Sequence, residues 1–202
     1  MSDAASKLDR VVRRWRNCEA CRLCKERTRV VFWRGNHIGK LAVVGEAPGA
    51  VEDERGEPFL GDAGALFDEL CESVLGPEPW DMFVCNTVGC RPPGNRKPRP
   101  DEFRACRARL YAMLAAVRPN AALLLGASPL EFLTPHRRIT EWRGRQVRVS
   151  FPWKGGKIEI PAVPTLHPGF LLRTRDARLN RAVAADIREA WSLAADSYLK
   201  GD

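Results

Sequence analysis

Cys18 and Cys21 form a C-x2-C pair, and Cys90 and Cys106 follow far downstream with fifteen residues between them. A C-x2-C turn delivers two thiolates to one metal or cluster, and a distant pair would pin that turn to the body of the fold. Soft thiolates select zinc or iron–sulfur clusters, and four cysteines suffice for a [4Fe–4S] centre. Spacing alone does not separate the two metals. Cys24 extends the run to C-x2-C-x2-C, so any two of its three members could be ligands. Cys71 and Cys85 fall in predicted regular elements, where thiols behave as small buried hydrophobes. The seven cysteines are an odd number and no secretion signal precedes them, so a disulfide framework is not expected.

Two loops carry other chemistry. In GEAPGAVEDERGEPFLGDAG, residues 45–64, a Gly/Pro turn presents Glu46 and Glu52 close to the aromatic Phe59. Glycine lets backbone approach a ligand closely, but no GK[ST] follows, so this is no phosphate-binding P-loop; its bland reading is an acidic surface loop. In TLHPGFLLR, residues 165–173, a buried strand delivers His167 to a proline-fixed turn. A lone histidine after a strand is more often structural than catalytic. The apolar Phe170, Leu171 and Leu172 followed by Arg173 are harder to dismiss, because proteins that distort DNA insert apolar wedges between bases.

These loops need elements to position them. LAVVG (41–45), residues 82–86, residues 121–125 and residues 163–165 read as short buried strands. Helices are predicted over 65–75, capped by Asp62, over 100–117 opening on Pro100, near 129–133, and over 178–199. CRPPGNRKPRP (90–100) holds too many prolines for regular structure. Residues 146–151 and 157–160 alternate in polarity about Gly155-Gly156, as in a hairpin. Strands alternating with helices predict an α/β fold with a mostly parallel sheet covered on both faces. Ligands then bind at the carboxyl ends of the strands, after Val44, Val84, Leu125 and Thr165.

The 202 residues fit one domain, 1–202, with 1–36 as a cysteine-bearing lead-in packed on the body. Nothing approaches the roughly 20 apolar residues of a membrane span, and residues 1–17 lack the apolar stretch of a secretory signal, so a cytoplasmic location is expected; a monomer is expected as well. Lys plus Arg number 33 against 25 acidic residues, a formal net charge of +8. That favours a polyanionic partner such as nucleic acid, although arginine-rich composition alone would inflate the figure.

Five stretches together strongly resemble the family 4, iron–sulfur uracil-DNA glycosylases. They are CEACRLCKERTRVVFWRGN, GEAPGAVEDERGEPFLGDAG, CNTVGCRPPGNRKPRPDEFRAC, LLLGASP and PTLHPGFLLR, in family order across residues 18–173. The resemblance implies a three-layer α/β/α domain around a four-stranded parallel sheet. It implies a [4Fe–4S] cluster at one end on Cys18, Cys21, Cys90 and Cys106, leaving Cys24 outside the set. It implies hydrolytic release of uracil from single- or double-stranded DNA, in base excision repair. Phe59 would stack on the flipped base, Asn86 would read its polar edge, and His167 would donate to uracil O2 as charge builds there. Leu171 would fill the gap left by the flipped nucleotide. Of Glu46 and Glu52, one would serve the oxocarbenium-like sugar or orient water and the other exclude a 5-methyl group; the resemblance does not say which. Ala47 stands where other branches carry a water-activating side chain. Gly89 replaces a usual Lys, which would remove a positive charge near the cluster. A family 5-like glycosylase of broader specificity is disfavoured by Glu46. A non-catalytic iron–sulfur nucleic-acid-binding protein and a zinc-stapled module are the other readings.

Overall fold

The computed structural model describes residues 3–77 and 80–196. In chain order it contains α1 (Asp3–Trp15), β1 (Trp33–Gly35), β2 (Leu41–Gly45), α2 (Ala50–Arg55), α3 (Asp62–Leu75), β3 (Met82–Asn86) and α4 (Pro100–Val117). These are followed by β4 (Ala121–Leu125), α5 (Ala127–Leu133), α6 (Ile139–Trp142), β5 (Val147–Trp153), β6 (Gly156–Thr165), α7 (Pro168–Thr174) and α8 (Ala177–Asp196).

The strands form one sheet in the order β1-β3-β2-β4-β6-β5. The four inner strands are mutually parallel, and β1 and β5 run antiparallel at the two edges. The sheet therefore has six strands, not the expected four. β1 is only three residues long, too short to show a period, and β5 joins through the hairpin. Every residue of β2, β3 and β4 is buried, as parallel strands covered on both faces must be. Side chains alternate between the faces. Ala42, Val44, Phe83, Ala122 and Leu124 pack with Leu8 and Val11 of α1 and Leu110, Met113 and Leu114 of α4. Leu41, Val43, Val84, Leu123 and Val163 pack with Phe67 and Leu70 of α3 and Val183, Ile187 and Ala190 of α8. This is the three-layer α/β/α arrangement expected.

Local chemistry corrects several boundaries. Helix α3 begins at Asp62 with Gly61 as its extended cap residue; Asp62 lies in the first turn, where a carboxylate favours the positive end of the helix dipole. The proline-rich stretch makes one 3-10 turn, Pro93–Asn95. The hairpin turns on Lys154-Gly155, both at positive φ (42° and 80°), as its two-residue type requires. Its return strand and the strand expected at 163–165 are one ten-residue strand, β6. Helix α8 starts at Ala177; residues 197–199 of the expected helix lie outside the described residues. Among the described residues no helix is long and apolar enough to cross a membrane.

Candidate active site

The parallel strands end together, with Gly45 beside Asn86 and Leu125 beside Thr165. A cleft of about 560 Å³ opens at this rim, bordered by Glu46, Phe59, Asn86, Gly126, His167 and Arg173. Seven of the eight residues expected to act on substrate, Glu46, Ala47, Glu52, Phe59, Asn86, His167 and Arg173, thus line one space, where a parallel sheet is expected to bind its ligand.

Phe59 reaches the cleft through a strained backbone, with φ at +58° in the left-handed region, costing about 1–3 kcal/mol that its surroundings must hold. Two features hold it. A Cβ on Gly64 would overlap the Phe59 carbonyl, so only glycine lets α3 approach. Glu52, buried at 8% exposure, accepts backbone N–H groups from Gly49 at 2.9 Å, Leu60 at 2.9 Å and Gly61 at 2.8 Å. Its carboxylate closes the loop from both sides of Phe59 while also lining the cleft. The Phe59 ring is 5.8 Å from Phe67 and 6.0 Å from the His167 ring, centroid to centroid.

Asn86 ends β3 and is 3% exposed; no hydrogen bond to its side-chain amide is present among the described residues. A Cβ on Gly45 would lie 2.5 Å from Asn86 Oδ1 and 2.5 Å from Phe59 Cζ. Gly45→Ala is therefore expected to destabilise the fold by about 1–3 kcal/mol, the usual cost of overpacking, and to spread ring and amide apart. An unchanged thermal midpoint would mean that neither side chain is held where it is seen.

His167 caps α7, and its Nδ1 accepts the Gly169 N–H at 3.1 Å. That bond consumes the Nδ1 lone pair, so neutral His167 carries its proton on Nε2. Burial, seconded by the Arg173 charge and opposed weakly by Glu52, lowers its pKa to about 4. At neutral pH the ring is an uncharged N–H donor. Glu46 is fixed at two levels: its carbonyl accepts the Thr87 hydroxyl at 2.6 Å and the Val88 N–H at 3.2 Å, and its carboxylate accepts the Ser128 hydroxyl. Ala47 lines the cleft and on its other side packs against the apolar cluster containing Cys90 and Cys106.

The side chain of Leu171, expected as the wedge, is 2% exposed and packs in the core beneath α7. The helical turn Pro168–Thr174 points its neighbours outward instead: Phe170 is 39% and Leu172 40% exposed. Arg173 is exposed at the cleft edge.

Cys90 and Cys106 are buried, and Cys21 is half-buried against them in a satellite cluster with Leu23, Val30 and Val88. Burial pushes the Cys90 thiol up to about 12 and the Cys21 thiol upward; the Cys106 and Cys18 sulfurs lie near enough to Cys21 to add to its rise. Arg27 donates to Cys90 Sγ at 3.6 Å. Cys24 is half-buried outside this cluster, and Cys71 and Cys85 are buried in the main core. Among the described residues no three His, Cys, Asp or Glu side chains are placed to hold a single metal ion.

Three contributors were not singled out from the sequence. Ser128, 1% exposed, is the second residue of α5 and fixes Glu46; a serine two residues after the glycine that follows a buried strand was the available signal. Arg96 pairs with fully buried Glu102 through bonds of 2.7 and 2.9 Å, and this bond holds the Glu102 carboxyl below its ordinary range. Glu102 also accepts the Arg99 N–H at 2.7 Å, ordering the proline-rich loop at the cleft. Arg109 lies one turn after Cys106 on the inner face of α4, and its guanidinium packs against Gly89. The charge expected to be missing at position 89 is supplied from α4.

The family model of the uracil DNA glycosylase superfamily matches residues 32–193. A type-4 uracil-DNA glycosylase of Thermotoga maritima is 42% identical over 185 residues, covering 90% of this chain and 92% of that protein. One from Saccharolobus solfataricus is 36% identical over 201 residues, covering 96% and 92%. A type-5 uracil-DNA glycosylase of Pyrobaculum aerophilum is 35% identical, but over only 46% of each chain. With a cleft built from the expected strand ends and with similarity running nearly end to end, this chain belongs to the uracil-DNA glycosylase superfamily, in its type-4 branch.

Proposed function

We propose that this chain excises uracil from DNA, hydrolysing the N-glycosidic bond of a flipped-out nucleotide to leave an abasic site. The observation that carries this is the convergence of Phe59, Asn86, His167 and Glu46 on one cleft at the strand ends. A flat base stacks on the Phe59 ring, and the Asn86 amide donates to one polar edge atom and accepts from its neighbour. As the glycosidic bond lengthens, electrons flow into the base and O2 becomes anionic. The Nε2–H of neutral His167 donates to that oxygen. Glu46, pinned by Ser128, faces the sugar, where its charge favours the oxocarbenium-like centre and orients the incoming water. Ala47 has no group with which to activate water, so leaving-group stabilisation carries most of the rate. Glu52, fixed by three N–H donors, is a wall that a 5-methyl group could not push aside. Outside the cleft, Phe170 and Leu172 take the wedge role.

Membership of the type-4 branch favours a [4Fe–4S] cluster over zinc on the thiols of Cys18, Cys21, Cys90 and Cys106. Cys21, Cys90 and Cys106 pack about one apolar cluster, and ligation by four thiolates is the donor set of such a centre. When bound, the cluster would cross-link the lead-in to α4 and to the segment after β3. The enzyme acts as a monomer on DNA drawn by its net charge of +8.

The test uses two otherwise identical oligonucleotides, one with a single uracil and one with thymine, with abasic sites revealed by alkaline cleavage. Cleavage of the uracil strand alone is expected. Equal cleavage of both would overturn the wall assigned to Glu52, and no cleavage of either by folded, brown protein would overturn the activity.

A further inference from the structure

Arg109 is the largest fully enclosed side chain of the fold, 2% exposed, and among the described residues no carboxylate pairs with it. A buried cation is costly unless its protons are used. One terminal nitrogen donates to the carbonyl of Asn86 at 2.8 Å and to that of Thr87 at 3.4 Å, the other to Met113 Sδ at 3.5 Å. Its Nε has no partner. A Cβ at Gly89 would lie 2.9 Å from that Nε and 3.0 Å from Cζ, so the guanidinium passes where a glycine leaves room. One side chain therefore touches both ends of the segment 86–89, which connects the amide facing the cleft to Cys90. The same helix carries Cys106 one turn earlier. Thr87 in turn fixes the Glu46 carbonyl, so both cleft edges depend on this segment.

We propose that Arg109 is a positioning residue for base recognition: by gripping the Asn86 and Thr87 carbonyls it sets the depth at which the Asn86 amide meets the base. This rests on the glycosylase reading above and adds a residue to it. A purely structural arginine would affect stability alone, whereas a positioning arginine must affect affinity for the base.

The experiment compares wild-type protein with Arg109→Met, which keeps the length and loses the donors. Free uracil binding is measured by calorimetry, excision kinetics on a uracil oligonucleotide, and cluster content by iron analysis and visible absorbance. Loss of this charge-assisted grip is expected to weaken uracil binding and raise KM by about tenfold, the factor set by one such bond, with kcat and iron content little changed. Gly89→Ala, which displaces the guanidinium without removing it, is expected to shift the same quantities in the same direction by less, and it serves as the test should Arg109→Met fail to fold. Folded variants with wild-type uracil affinity would overturn the proposal, as would weakened binding seen only in proteins that have lost iron. Wild-type protein that neither binds nor excises uracil would instead overturn the glycosylase reading, and this proposal with it.

Discussion

Replacing His167 with alanine is expected to slow excision by about 10²–10³-fold, the usual cost of removing one donor to developing negative charge, while affinity for uracil DNA changes little. The asymmetry follows from when the bond matters. In the ground state O2 is a neutral carbonyl oxygen and the donor gains little; in the transition state it is close to an anion. A neutral donor suits this task because it cannot lose its proton to the leaving group as readily as an imidazolium would. Single-turnover kinetics with a parallel binding assay check it, and an unchanged single-turnover rate would remove His167 from the mechanism. The pKa of about 4 adds a pH signature. Activity should hold as pH falls through 6.5, where an ordinary histidine would charge. Stability has the opposite sensitivity. Between pH about 6.5 and 4 the unfolded chain binds a proton at this position that the native protein refuses, so folding weakens as pH falls through that window. Above 6.5 both states are neutral and the contribution vanishes. The His167→Ala variant should lack that part of the acid sensitivity.

Replacing Cys90 with alanine is expected to bleach the protein and to lower its stability by at least about 3 kcal/mol, because metal binding is folding free energy in such sites. For a chain of this size that is roughly 6–12 °C in Tm. Cys90 is buried among apolar side chains with Cys106 and Cys21, so the remaining thiols would be left in a site that disfavours their charged form. Cys24→Ala, outside that cluster, should keep colour and Tm. Visible absorbance, iron content and a thermal melt measure all three outcomes together. A Cys90→Ala protein that stays brown would overturn the ligand set.

The sequence made the parallel core legible because fully buried strands such as LAVVG and AALLL have few other ways to be satisfied. It made Glu46 and His167 legible because they follow β2 and β6 closely, where the topology must bring loops together, whereas Asn86, the last residue of β3, was singled out only by the family resemblance. Exposure was less accessible. The three apolar positions in the run Phe170-Leu171-Leu172 look alike as letters, and only the helical turn of α7 sends Leu171 inward and its neighbours outward. The grip of Glu52 on three backbone donors could not be seen either, since it depends on a left-handed residue seven positions later. Arg109 was hidden by its charge: arginine is rarely enclosed, and its carbonyl partners lie more than twenty residues away in sequence.

Strand β6 has a consequence for handling the protein. It carries His167 from its carboxyl end, and its other end is the Lys154-Gly155 turn. Ten residues of strand separate the two, about 33 Å at the rise of an extended chain. The turn is exposed at its tip, and lengthening a surface loop costs only about 0.6 kcal/mol per doubling. A fluorophore, affinity tag or surface tether grafted there would report on or immobilise the molecule with the cleft left facing away from the attachment.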